Sequence, residues 1–219
     1  MQLYLDTGNI DEIKELTAWG IVNGVTTNPS LLAKEKDRGD YRELLEQICE
    51  VVQGPVSAEV TATDAAAMVK QASSLVKISE HIVIKIPCVP EGLKATSMLF
   101  EDGIDVNVTL VFSPLQALMA ANAGAAYVSP FVGRLDDIGH EGVEEVAKIR
   151  EIYDIHNIDT QIIFASTRHP EHVLQAAQVG ADICTMPAKV FRQMLAHPLT
   201  DIGLKRFMDD WSKTGFSID

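Results

Sequence analysis

The feature that most constrains this chain is an end-to-end alternation of short β-branched runs with amphipathic helical stripes. Strand patterns cover Leu3 to Leu5, Gly24 to Thr27, Val56 to Val60, Ile82 to Ile86, Asp105 to Val111, Tyr127 to Ser129, Gln161 to Ala165 and Ala181 to Thr185. Helical signals stand between them. Asn9 is an N-cap with Glu12 three residues on, ahead of the stripe Ile10, Ile13 and Leu16. Asn28-Pro29-Ser30 opens a helix, as does Ser113-Pro114. Further helical stretches run from Tyr41 to Val52, Asp64 to Lys77, Glu91 to Phe100, Val143 to Tyr153, Pro170 to Gln178 and Pro187 to Leu195, while Phe131 to His140 reads as a loop. A last helix, about Thr200 to Trp211, aligns Leu204, Phe207, Met208 and Trp211.

Strands separated by crossover helices pair in parallel. Eight such units in 219 residues predict an α/β fold, a (β/α)8 TIM barrel spanning 1–219 as one domain, with 198–219 carrying an extra C-terminal helix. An open doubly wound sheet is the alternative, but no GxGxxG follows any strand, which leaves a dinucleotide site without support. Apolar residues at 47% supply a core of the needed size. The net charge of −13 repels nucleic acid and acidic membranes, so neither is expected as a partner, and an anionic substrate would need a local basic pocket. Cys49, Cys88 and Cys184 form no CxxC pair and the histidines are scattered, so neither disulfides nor a metal site is expected. With no signal-peptide or membrane-span pattern, the expected location is cytoplasmic.

One lysine interrupts the apolar run Ile82-Val83-Ile84-Lys85-Ile86-Pro87. A buried ammonium is costly unless paired or neutral, and a neutral lysine amine attacks carbonyls to form Schiff bases. On this stretch alone, a nucleophile and a lysine paired with a neighbouring strand's carboxylate both remain open. In a barrel the site gathers at the carboxyl ends of the strands. There the chain delivers Asp6, then Thr26 and Asn28, then Glu59, Lys85, Asn107 with Thr109, Ser129 with Arg134 beyond it, and Ser166 with Arg168 beyond it. A single polar strand residue is commonplace. Seven successive strands each bringing one suggest a constellation: an amine, two carboxylates for proton transfer, hydroxyls and amides for a polyol, and two arginines for a phosphate.

Asp6-Thr7-Gly8-Asn9, Thr26-Thr27-Asn28-Pro29-Ser30, Ile84-Lys85-Ile86-Pro87, Asn107-Val108-Thr109-Leu110, Ser129-Pro130-Phe131-Val132-Gly133-Arg134 and Ala165-Ser166 resemble the transaldolases. The match runs over essentially the whole chain and is closest to the short subfamily that also contains fructose-6-phosphate aldolases. The resemblance implies a Schiff base on Lys85, acid–base work by Glu59 through a water shared with Thr109, and proton removal from the substrate C4 hydroxyl by Asp6. It implies substrate contacts from Thr26, Asn28, Asn107, Ser129 and Phe131, and a phosphate site at Arg134, Ser166 and Arg168. No cofactor or metal is implied, because the iminium is the electron sink. Fructose-6-phosphate aldolases typically carry glutamine and tyrosine where this chain has Glu59 and Phe131. The expectation is therefore a transaldolase of the non-oxidative pentose phosphate pathway, passing dihydroxyacetone from sedoheptulose 7-phosphate or fructose 6-phosphate to glyceraldehyde 3-phosphate or erythrose 4-phosphate. Fructose-6-phosphate aldolase is the alternative. The resemblance also implies a pentamer or decamer in which the C-terminal helix reaches a neighbour.

Overall fold

In the computed structural model, which describes residues 1–218, eight parallel strands close into a barrel in sequence order. They are β1 (Gln2–Asp6), β2 (Gly24–Thr26), β3 (Val56–Glu59), β4 (Ile82–Pro87), β5 (Val106–Val111), β6 (Tyr127–Pro130), β7 (Gln161–Phe164) and β8 (Ile183–Met186). Closure comes from β1 pairing with β8, Gln2 opposite Ile183 and Leu5 opposite Met186. The helices between strands are α1 (Ile10–Thr17), α2 (Pro29–Leu32), α3 (Tyr41–Val52), α4 (Ala65–Leu75), α5 (Pro90–Glu101) and α6 (Pro114–Asn122). They continue with α7 (Val132–Asp136), α8 (Gly142–His156), α9 (Pro170–Gln178), α10 (Ala188–Leu195) and α11 (Pro198–Ser212). A 3-10 turn over Ala33–Arg38 links α2 to α3.

The caps follow the local sequence. Asn9 accepts from the amides of Asp11 and Glu12, and Asp40 with Glu43 forms a capping box ahead of α3. The stretch expected as a loop after β6 contains α7, a correction whose physical basis is visible at Gly133. A Cβ there would lie 2.2 Å from the Ser166 carbonyl oxygen, so only glycine lets this turn coil against the end of β7.

Strand parity divides the core into two parts. Leu5, Val25, Ala58, Ile84, Val108, Val128, Ile162 and Cys184 point outward and are buried under the helices. Inside the barrel, Tyr4, Ile163 and Ile183 form a separate apolar layer against Tyr127. Gly24 makes room for it, since a Cβ there would come within 2.7 Å of the Tyr4 ring. Two residues further along several strands, the same inward parity places Asp6, Thr26, Ser129 and Thr185 above that plug. The apolar layer closes one end of the barrel and leaves the carboxyl-end layer for polar side chains.

Helix α11 stands apart from this economy. None of its residues is buried, and Leu199, Ile202, Leu204, Phe207, Met208 and Trp211 are exposed. Among the described residues, no helix is long and apolar enough to cross a membrane.

Candidate active site

Above the apolar plug lies a cavity of about 380 Å³ whose wall includes Asp6, Thr26, Asn28, Lys85, Ser129, Phe131, Arg134, Ser166, Arg168 and Thr185. Nine of the twelve residues singled out from the sequence line this wall. Glu59, Asn107 and Thr109 do not line it but stand on β3 and β5, the strands that flank Lys85 on β4.

Lys85 is the centre of the arrangement. Its register partners are Glu59 on β3 and Asn107 on β5, so all three side chains share the inward face. The lysine side chain is only 5% exposed. Its Nζ lies 3.1 Å from Glu59 Oε2 and donates to the Thr27 carbonyl oxygen at 3.0 Å. The strand-4 lysine is thus paired with a neighbouring carboxylate and also opens on the cavity. A buried amine paired with a carboxylate keeps a proton acceptor within reach, which nucleophilic activation requires.

Asp6 ends β1 opposite Thr26. The Thr26 hydroxyl donates to Asp6 Oδ1 at 3.1 Å. With that hydrogen committed, Thr185 donates to Thr26 Oγ1 across 2.6 Å. Burial pushes the Asp6 carboxyl above its ordinary value, while Lys85, the Thr26 hydroxyl and Lys34 pull against that rise. A carboxylate moved toward neutrality becomes a stronger base at working pH.

Asn107 is locked at both ends. Its Nδ2 donates to Ser57 Oγ at 3.1 Å, and Ser129 Oγ donates to its Oδ1 at 2.7 Å. Two residues along β5, Thr109 Oγ1 is buried with no hydrogen-bond partner among the described residues. Leu110 follows with φ of 57° at a register shift between β5 and β6, so a bulge sits beside this hydroxyl. An orphaned buried hydroxyl is a ready partner for water or ligand. Asn28 caps α2 through its Oδ1, which accepts from the Leu31 amide at 3.0 Å.

On the opposite rim, Arg134 on α7 packs its guanidinium over the Phe131 ring at 4.8 Å and makes no ion pair among the described residues. Arg168 follows β7 and pairs with Asp137 at 2.8 Å. Ser166 between them has φ of 62°, a strained conformation for a non-glycine residue. Two guanidiniums on one rim form a local basic patch on a chain of net charge −13.

Sequence reading missed Ser57, Thr185, Lys34 and the Thr27 carbonyl. Ser57 and Thr185 have the same inward parity as the residues that were found, and that parity was the available signal. Among the described residues, no group of His, Cys, Asp or Glu could hold a metal ion.

The chain resembles known proteins along its length. Residues 3–218 match the model of the family described as Transaldolase/Fructose-6-phosphate aldolase. A protein of Desulfosudis oleivorans named "Probable transaldolase" is 57% identical over 213 residues, covering 97% of this chain and 99% of its own. One of a Thermoanaerobacter species, named likewise, is 54% identical over 218 residues and covers 100% of both chains. Thiamine phosphate pyrophosphorylase from Pyrococcus furiosus is alike in fold, with a TM-score of 0.59 at 14% identity over 88% of this chain and 93% of that one. With a family match over nearly every residue and full-length relatives at more than half identity, the chain belongs to the transaldolase/fructose-6-phosphate aldolase family.

Proposed function

We propose that this protein is a transaldolase that moves a dihydroxyacetone unit from a ketose phosphate to an aldose phosphate through a Schiff base on Lys85. The observation that carries the proposal is the buried Lys85 amine, 3.1 Å from Glu59 and open to a cavity with Asp6 on its wall and two arginines on its rim. The relatives' name and the family's description support it.

The steps follow from that arrangement. Glu59 takes a proton from Lys85, and the free amine adds to the C2 carbonyl of sedoheptulose 7-phosphate or fructose 6-phosphate. Glu59 returns a proton to the carbinolamine hydroxyl, which leaves as water and yields an iminium. Asp6 accepts the C4 hydroxyl proton as the C3–C4 bond breaks, and that electron pair moves into the iminium to give an enamine. The aldose phosphate departs. The enamine carbon then attacks the aldehyde of glyceraldehyde 3-phosphate or erythrose 4-phosphate, Asp6 returns its proton to the new hydroxyl, and hydrolysis releases Lys85. Thr26, Asn28, Asn107 and Ser129 hold the dihydroxyacetone hydroxyls, Thr109 shares a water with Glu59, and Arg134, Ser166 and Arg168 bind the phosphate. The electron sink is the iminium, so the steps use no cofactor.

The choice of transfer over aldol cleavage rests on Phe131. Its ring packs edge-on to Phe112 at 6.0 Å and under Arg134, and it presents no hydroxyl that could protonate an enamine. Borohydride trapping with fructose 6-phosphate, peptide mapping, and turnover with and without erythrose 4-phosphate test the proposal. A reduced three-carbon adduct on Lys85 with turnover that requires the acceptor is the expected result. An adduct with acceptor-independent turnover would make the protein a fructose-6-phosphate aldolase, and no adduct would overturn Schiff-base chemistry.

A further inference from the structure

The two arginines of the rim stand on separate elements, joined at the start of α7 by the Val132 amide donating to the Ala165 carbonyl oxygen and at its end by the exposed ion pair of Arg168 with Asp137. Arg134 rides on α7, five residues long and far too short to be stable alone. Arg168 lies in the segment between β7 and α9. Their guanidiniums can grip one anion only if α7 and that segment keep a fixed separation. The ion pair is exposed and therefore weak, so a buried tie is what holds that separation.

The buried tie is a histidine outside the cavity. His172, in the first turn of α9 and 6% exposed, reaches Asp136 at the end of α7, Nε2 to Oδ2 at 3.1 Å. Its other ring nitrogen, Nδ1, accepts the backbone N–H of Arg168 at 3.3 Å. The remaining Asp136 oxygen accepts the Gly142 amide at 2.9 Å, which ties the end of α7 to the start of α8. Gly133 closes the joint from the other side, where a Cβ would fall 2.5 Å from Arg168 Nε. One imidazole thus touches the backbone of one clamp residue and the helix of the other.

We infer that His172 and Asp136 form a latch that positions Arg134 and Arg168, and that through it they set affinity for the phosphate end of the substrate. The inference deepens the proposed function and rests on that reading of the cavity. His172 acts through the arginines rather than on the reacting atoms, so it is a positioning residue.

The hydrogen bonds define its protonation. A neutral imidazole with its hydrogen on Nε2 satisfies both contacts, donating to Asp136 and accepting from Arg168. Burial holds the ring below the ordinary histidine range, helped by His169 and Arg168 and opposed by Asp136. The His169 ring lies against it, tilted by 47° with centroids 3.9 Å apart, and Phe164 of β7 meets it edge-on at 6.0 Å. His140, Glu141 and Glu144 line the hollow beside it. Protonation of Nδ1 would turn that acceptor into a donor and break the link to Arg168.

The test compares wild type with His172→Ala, His172→Gln and Asp136→Asn. The readouts are KM and kcat for fructose 6-phosphate with an acceptor, and borohydride trapping by unphosphorylated dihydroxyacetone. Misplaced binding groups cost affinity steeply, so His172→Ala is expected to raise KM about tenfold. Its kcat stays within about threefold, and trapping by dihydroxyacetone is unchanged. His172→Gln, whose amide can still donate to Asp136, recovers most of the loss. Between pH 7.5 and 5.5, KM of wild type rises more than that of His172→Gln. Equal losses on phosphorylated and unphosphorylated substrates, or identical pH profiles for the two proteins, would overturn the latch. If His172→Ala fails to fold, Asp136→Asn carries the same comparison. If wild type traps neither substrate, the Schiff-base reading falls by itself. Titration with inorganic phosphate still decides the latch then: about tenfold weaker binding in the variant supports it, and equal binding or none in wild type overturns it.

Discussion

Replacing Glu59 by leucine isolates the energetics of the central ion pair. At 3.1 Å, two unit charges attract by about 5 kcal/mol at an effective dielectric of about 20. Desolvation of both groups offsets part of that gain. Removing the carboxylate leaves a 5%-exposed ammonium that still donates to the Thr27 carbonyl and feels Asp6 only through space. Truncating one member of a buried pair costs about 3–5 kcal/mol, and with the Glu59 side chain 15% exposed we expect the lower end. For a chain of this size, about 3 kcal/mol lowers Tm by roughly 6–12 °C. Lys85→Met added to Glu59→Leu removes both charges and should return stability to within about 1 kcal/mol of wild type. The assay is urea and thermal unfolding of both single variants and the double variant at one protein concentration. A Glu59→Leu loss below about 1 kcal/mol, or a double variant no better than the single, would refute the claim that Glu59 compensates a charged Lys85.

Other consequences are equally direct. Asp6 titrates above its unfolded value of 3.8, so the folded state binds more protons in that window and stability falls as pH rises through it. Asp6→Asn should therefore be more stable than wild type at pH 7, with the difference vanishing below about pH 4 in thermal unfolding, while turnover drops by about 10²-fold or more. Phe131→Tyr supplies a hydroxyl beside Arg134 and should raise release of free dihydroxyacetone relative to transfer, read by a coupled assay on fructose 6-phosphate. Gly24→Ala forces a methyl against the Tyr4 ring and the Pro55 carbonyl, both 2.7 Å away, and should cost about 1–3 kcal/mol in chemical unfolding. Sedimentation should give a pentamer or decamer, with the exposed α11 side chains Leu204, Phe207 and Trp211 covered by a neighbour. A monomer would refute that assembly.

Periodicity alone determined most of the architecture. Alternating apolar runs and helical stripes require crossovers, and crossovers require parallel strands, so eight units left a barrel as the favoured closure. Parity of two along β5 also put Asn107 and Thr109 on one face, and position near the strand ends picked out Lys85 and Ser129, without knowledge of any contact. Local chemistry sufficed for the Asn9 cap and for the helix opened at Asn28-Pro29-Ser30, because the partners lie within three residues.

Only the tertiary structure decided what depends on closure. The 2.6 Å link from Thr26 to Thr185 joins residues at opposite ends of the chain, and it exists because β1 pairs with β8. The Lys85 contact to the Thr27 carbonyl, the bond between Asn107 and Ser57, and the coil of α7 likewise come from chain segments far apart in sequence. The latch of His172 on Asp136 belongs here too: a histidine in a helix start and an aspartate after an arginine look unrelated until α7 lies against α9. A strand's pattern specifies which face each side chain takes, since that is a property of the local backbone. Which groups meet on that face depends on the register and curvature of strands brought together across the barrel, and no local run of sequence carries that information.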